Sequence, residues 1–188
     1  MMRCVKRLAE GFGFVEGPRW RPGVAGGSPD EGVLYFSDMG TKQVLTVDLD
    51  GKVEEVAVVD ARPSGIGWLP DGRMIVVSMN DKRVVRHEPD GSLVTHADIS
   101  DLAGAPCNDM VVDGRGNAYV GNPGYDMRNP PSPLPSAQVV LVRPDGSAQV
   151  VDDQVQFPNG SVVTPDNRTL IVGETMGRKL TAWDIRDD

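Results

Sequence analysis

Clustered positive charge is missing from this chain. Its 19 Lys and Arg residues are scattered among 27 Asp and Glu, leaving a net charge of −8, whereas a nucleic-acid partner needs basic residues gathered on one face. The balance argues against nucleic acid and favours a small molecule or a cation. Long apolar runs are missing as well. None reaches the roughly 18 to 20 residues of a membrane span, and Met1 to Glu10 is too polar for a signal sequence. The expected compartment is cytoplasmic, with no membrane partner. Cysteine is scarce: Cys4 and Cys107 lie far apart with no CxxC spacing, so neither a disulfide framework nor a zinc cluster is expected. Nothing in the spacing joins Cys107 to His87 or His96 as a thiol and base pair. Aromatic residues make up only 5%, against 22 Gly and 15 Pro, a composition of one core and many turns.

What the chain does have is a repeating phrase. A polar residue beside Gly or Pro precedes a β run, then an Asp-Gly-type turn and a second β run. The phrase starts at Glu16-Gly17-Pro18, Pro63-Ser64-Gly65, Cys107-Asn108-Asp109 and Pro158-Asn159-Gly160, at intervals of 48, 44 and 51 residues. That interval accommodates four short strands with their turns, the content of a propeller blade. The expected fold class is all-β, a β-propeller, with residues 1–188 as a single partial propeller domain. Glu16, Ser64, Asn108 and Asn159 become equivalent positions that rotation brings round one axis, where oxygen-bearing side chains suit a hard cation.

The strands can be placed by alternation and turn residues. The first unit holds Val33 to Ser37, Gln43 to Asp48 and Val53 to Val59, with a turn at Asp50-Gly51. The second holds Gly65 to Leu69, Met74 to Ser78, Arg83 to Glu88 and Leu93 to Ala97, with turns at Asp71-Gly72 and Asp90-Gly91. The third runs from Met110 to Val112, Ala118 to Gly121, Val139 to Arg143 and Ala148 to Val151, turning at Asp113-Gly114 and Asp145-Gly146. The fourth holds Ser161 to Thr164, Thr169 to Gly173 and Leu180 to Ile185, turning at Asp166-Asn167. The turn aspartates are read as structural, and Trp20 and Trp68, at equivalent positions, as core.

Two turn-rich excursions interrupt the period, Pro22 to Gly32 and the proline-rich Asn122 to Ser136. Because the second strand of a blade runs antiparallel to the first, it ends at the mouth where the first begins. Asp38, Ser78, Asn122 and Glu174 then share a rim with the repeat-start residues. The excursion after Asn122 becomes a lid over the mouth. Asn122 and Glu174 are candidate substrate-binding residues on this geometry.

These motifs resemble those of the regucalcin (senescence-marker protein) and gluconolactonase family of six-bladed propellers. Glu16-Gly17-Pro18-Arg19-Trp20 resembles the family's opening segment. Asn108-Asp109 with Asp113 and Gly116 is similar to its Asn-Asp-Gly segment, and Phe157-Pro158-Asn159-Gly160 with Thr164-Pro165-Asp166 to its Asn-Gly segment. The resemblance implies one divalent cation, with Glu16 and Asn159 as metal ligands and Asn108 reaching the substrate or the water beside it. It also implies a lid acid that binds substrate, matched by Asp126. An arginine that some members place two residues before the matching Asn is Pro106 here.

Six blades at this repeat need roughly 270 to 300 residues, and three complete units and most of a fourth are read here. The family's remaining ligand, an aspartate that also serves as base, is expected past Asp188, so no catalytic residue is assigned. The implied activity is divalent-metal-dependent hydrolysis of lactones or related esters. In it a cation polarises the carbonyl and activates water. Calcium is the expected ion, with magnesium or zinc as alternatives. The alternative function is a non-catalytic propeller that binds a cation, a small molecule or a protein. Flanks left open by absent blades are expected to drive self-association.

Overall fold

The computed structural model describes residues 5–23 and 31–186. Cys4 and most of the first excursion lie outside the described residues. The fold is an all-β propeller of four sheets, with no helix among the described residues and hence none long and apolar enough to cross a membrane.

Blade one comprises β1 (Val15–Pro22), β2 (Gly32–Asp38), β3 (Gln43–Val47) and β4 (Val53–Val58). Blade two comprises β5 (Pro63–Trp68), β6 (Met74–Ser78), β7 (Arg83–His87) and β8 (Leu93–Asp98). Blade three comprises β9 (Met110–Val112), β10 (Ala118–Val120), β11 (Ala137–Val142) and β12 (Ala148–Val155). Blade four is three-stranded: β13 (Pro158–Val163), β14 (Thr169–Glu174) and β15 (Lys179–Asp184). Each sheet is an antiparallel meander in chain order. The first strands are innermost: β5 lies against β1 and β9, and β13 lies against β9.

The hairpins follow from their turn residues. Gly51, Gly72, Gly91 and Gly146 sit at φ between 85° and 89°, a region open to glycine and strained for most side chains. Asn167 takes that role in blade four at φ 57°, as an Asx residue can. In blade three the left-handed residue is Gly116 rather than Gly114. Asp113 Oδ1 there accepts from the N–H groups of Arg115 and Asn117, which moves the turn one step past the Asp113-Gly114 pair. Asp71, Asp90, Asp145 and Asp166 likewise accept the N–H two residues on, so the turn aspartates act through their own backbone.

Apolar faces pack between neighbouring blades. Val44, Ala57 and Val59 meet Ile66, Met74 and Val76 between blades one and two. Ile75, Val77 and Val84 meet Met110, Val120 and Val140 between blades two and three. Tyr119, Val139 and Val155 meet Leu170 and Val172 between three and four. Each fully buried side chain of this size contributes about 1.5–3 kcal/mol.

Trp68 packs into the first of these layers, edge-on to Tyr35 with ring centroids 5.1 Å apart. Trp20 does not share that environment. By blade symmetry it faces the side before blade one, where it lies over Gly32 and stays 41% exposed. Part of that flank is covered from within the chain, where Leu8, Ala9 and Phe12 pack on Phe36, Leu45 and Val47.

Candidate functional site

Three of the four inner strands break register at the same place. Pairing shifts between Glu16 and Arg19 in β1, between Pro63 and Ile66 in β5, and between Pro158 and Ser161 in β13. A bulge re-aims the side chains beside it, and this is the physical content of the repeating phrase. Glycine is required where the bulge meets the next blade. A Cβ on Gly65 would lie 2.2 Å from the Met110 backbone nitrogen, and one on Gly17, at φ 57°, 2.9 Å from Ser64 O. Val15, Pro63 and Pro158 pair with Asp38, Ser78 and Glu174, so repeat starts and second-strand ends do share one mouth.

Polar side chains at three repeat starts form a row from blade to blade, Ser64 and Asn159 beside bulges and Asn108 just ahead of β9. Ser64 Oγ donates to Asn108 Oδ1 at 3.5 Å, Asn108 Nδ2 to Asn159 Oδ1 at 2.8 Å, and Asn159 Nδ2 to Thr175 Oγ1 at 3.3 Å. Ser37 Oγ donates to Ser64 O at 2.6 Å. Asn108 and Asn159 are thus brought into contact. No hydrogen bond joins Glu16 to Asn159. Glu16 is half-buried beside Asp109, and its carboxyl titrates above the usual range because burial disfavours the charge and Asp109 repels it; a bond from the Gly17 N–H pulls the other way. Asp109 is itself held by Arg19, with Nη2 2.9 Å from Oδ1.

Apart from Asp109, which Arg19 holds, the oxygen donors at this mouth are the Glu16 carboxylate and neutral amide oxygens, types that suit a hard cation whose other positions go to water or ligand. Among the described residues there is no cluster of three or more His, Cys, Asp or Glu side chains arranged for a metal.

Asn122 and Glu174 face inward. Asn122 is 1% exposed, donating to Gln138 O and accepting from the Gly124 N–H. Glu174 is 2% exposed. Burial alone would raise its pKa, but bonds from the Thr181 hydroxyl, the Gln156 N–H and Lys179 hold it below the ordinary carboxylate range. Both side chains anchor the corners of their own blades, as Asp38 does by accepting from the N–H groups of Gly13, Phe14 and Gly40.

Asn108 and Asp126 line the same cavity of about 420 Å³ beneath the lid. Rim geometry alone would leave both exposed, yet Asn108 is 8% exposed because the row encloses it. Asp126 is exposed and forked to Arg128, with both contacts at 3.0 Å, which holds its carboxyl below the usual range. Tyr125 fixes the lid by meeting Phe157 edge-on at 6.5 Å. Cys107 also lines this cavity, but burial pushes its thiol up to about 12, far from the thiolate a nucleophile requires.

Arg62, Tyr125 and Phe157 were not evident as site residues from sequence. Arg62, Pro106 and Phe157 each stand two residues before a repeat start and all line this cavity. The repeat thus carried the signal at an offset of two.

Bulged inner strands that gather polar side chains at a lidded mouth define a propeller with an axial site. The chain belongs to the SMP-30/Gluconolactonase/LRE-like family, whose profile matches residues 14–188. No curated protein sequence matches it. Among solved structures it is similar to a gluconolactonase from Xanthomonas campestris, with 26% identity and a TM-score of 0.73 over 96% of this chain and 61% of that one. It is also similar to a protein described as a putative gluconolactonase, at 22% identity and a TM-score of 0.74 over 96% of this chain and 62% of that one. A calcium-binding protein, regucalcin, from Agrobacterium tumefaciens shares the fold at 18% identity and a TM-score of 0.71, covering 92% and 54%. The chain spans about three-fifths of the length of these relatives.

Proposed function

We propose that this mouth serves divalent-metal-dependent hydrolysis of lactones or related esters. The observation that carries the reading is the bonded row Ser64, Asn108, Asn159, which opens through Asn108 into the lidded cavity. Family membership and the similarity to a gluconolactonase support the substrate class.

Glu16 would hold the cation by charge and Asn159 by its amide oxygen. Calcium is the proposed ion, in keeping with the calcium-binding regucalcin to which the chain is similar; magnesium and zinc are the alternatives. When bound there, such an ion polarises a carbonyl and activates water. The residues of this chain do the rest. Asn108, locked by Asn159, presents its amide to the substrate, and Asp126 meets it from the lid. Asn122 and Glu174 contribute by holding the rim that frames the cavity. No residue is assigned as the base.

A second reading, binding without catalysis, is favoured by one observation: Asp109, the carboxylate beside Glu16, is occupied by Arg19. Proton release from glucono-δ-lactone, followed with added calcium and then with chelator, separates the two. A chelator-sensitive rate above spontaneous hydrolysis supports the enzyme. Calcium binding by titration with no such rate supports the second reading with a cation as ligand, and neither signal removes both the hydrolase and the calcium-binding readings.

A further inference from the structure

The cavity under the lid holds two arginines in different circumstances. Arg128 is committed to Asp126 through both of its contacts. Arg62 lines the same cavity, is exposed, and its guanidinium has no hydrogen bond or ion pair with any described residue. In a chain of net charge −8, an unmatched cation inside the lidded mouth is an informative exception.

The backbone at Arg62 sharpens the point. Its φ is 74°, a conformation that glycine adopts freely and a long side chain does not. Two hydrogen bonds hold it there: its N–H donates to Val59 O and its carbonyl accepts from the Met79 N–H, both at 2.9 Å. That conformation sets Arg62 at the cavity wall, two residues before Ser64. The equivalent positions, Pro106 and Phe157, line the same wall with apolar surface. Pro106 and Phe157 thus give apolar wall beside Arg62, while Asn80 and Asn108 are neutral and the remaining charges, Asp126 and Arg128, are committed to each other.

We propose that Arg62 is the anion anchor of this mouth and that its ligand carries a carboxylate. A planar guanidinium with free donors matches a carboxylate in a forked, two-bond geometry that an ammonium cannot copy. The ligand class is then a polyhydroxy acid, either as a lactone bearing a second, free carboxylate or as the acid that ring opening releases. The proposal rests on the hydrolase reading only for the polyhydroxy skeleton. The anchor itself rests on the cavity.

Titration by chemical shift at low salt tests it without turnover. The probes are gluconate and sorbitol, which differ only in a carboxylate that replaces a hydroxymethyl group. Wild-type chain should bind gluconate at least about 10-fold more tightly than sorbitol, and Arg62→Gln should bring the two within about 2-fold. Arg62→Lys should keep a part of the preference. Arg178→Gln is the control, because Arg178 also has a left-handed backbone, at φ 53°, and lies outside the cavity; it should keep all of it. Thermal melts of each variant report whether the fold survives.

Glucaro-1,4-lactone, with its free carboxylate, and glucono-δ-lactone, with none, separate the sources. An Arg62-dependent preference for the former means that the substrate carries the anion, and a preference confined to gluconate means that the product does. Equal binding of gluconate and sorbitol by the wild type, or a preference that survives Arg62→Gln, overturns the proposal. Failure of lactone turnover with the preference intact removes the hydrolase reading and leaves the anchor standing.

Discussion

Arg19 Nη2 lies 2.9 Å from Asp109 Oδ1 and 2.6 Å from Met110 O, so the inner strand of blade one is tied to the entry of blade three across blade two. Glycines on the strand between make this approach feasible. At Gly65 and Gly67 an added Cβ would come within 2.2 Å of Met110 N and Val112 Cγ2 respectively. Removing the cation leaves Asp109 buried and uncompensated, and breaking one partner of such a pair costs about 3 kcal/mol. Arg19→Ala is expected to lose that amount in urea unfolding. Adding Asp109→Asn should recover part of it, and a double-mutant cycle measures the coupling.

Glu16 sets a pH and cation dependence with a definite sign. Its carboxyl titrates above the unfolded value of 4.5, so its contribution to stability is fully present below that value and is lost as pH rises through the folded pKa. At neutral pH the charged Glu16 therefore opposes folding. Glu16→Gln should raise the melting temperature at pH 7 and leave it nearly unchanged at pH 4. Saturating calcium should shrink the gain at pH 7, because an ion bound at Glu16 relieves the same repulsion. A variant less stable than wild type at pH 7 would contradict this account.

Asp38 works in the opposite sense. Burial raises its pKa, yet N–H bonds from Phe14, Gly13 and Gly40 hold it down at about 2, against 3.8 for an unperturbed aspartate. Its stabilisation is present above the unfolded value and is lost as pH falls from about 4 towards 2. Asp38→Asn should cost roughly 2 kcal/mol at pH 7. The difference from wild type should narrow steadily in denaturant titrations between pH 4 and 2.5.

Phe157 combines burial with an awkward backbone. It is 6% exposed, at φ 57°, and supports Tyr125 in the lid. Phe157→Ala should cost about 3–5 kcal/mol. Phe157→Gly should be more stable than Phe157→Ala by about 1 kcal/mol, the reverse of the usual order, because glycine relieves the left-handed strain. Both variants should speed proteolysis within residues 126–135, read by mass spectrometry of the fragments.

Asn108 and Asp126 should separate in stability though they share a cavity. Asn108→Ala removes the middle of the row and leaves buried partners unsatisfied, a cost of about 1–3 kcal/mol. Asp126→Ala removes an exposed ion pair, which is worth about 0–1 kcal/mol. Both should lower any lactone turnover. Equal stability losses would mean that the lid carboxylate is part of the packing.

Much of this fold is written in the sequence, and the reason differs along the chain. Met74–Ser78 and Met110–Val112 stand where alternation and turn residues place them, since their periodicity is bounded by punctuation. β1 was harder to delimit, because Glu16-Gly17-Pro18 and Pro22 carry the residues that normally demote a strand; here they make a bulge and an edge. Equivalence round the axis correctly made neighbours of Asn108 and Asn159. It could not show that Asn122 and Glu174 turn inward, because a rim position says where a side chain starts and its bonding partners decide where it ends. Arg62 was illegible for a related reason: a left-handed residue before a proline leaves no compositional mark.

The row that crosses the mouth has a direction. Ser64 and Asn108 each donate forward to the next blade, and Asn159 continues the line within blade four to Thr175. It is a head-to-tail line of dipoles, and members of such a line polarise one another. Asn159 Oδ1, the atom proposed to hold a cation, is already the acceptor for Asn108 Nδ2. A cation drawing on that oxygen would loosen the Asn108 bond and leave an amide hydrogen free to turn toward the cavity. The propeller would then register the ion at its axis as a changed donor at its lid, with no blade having to move.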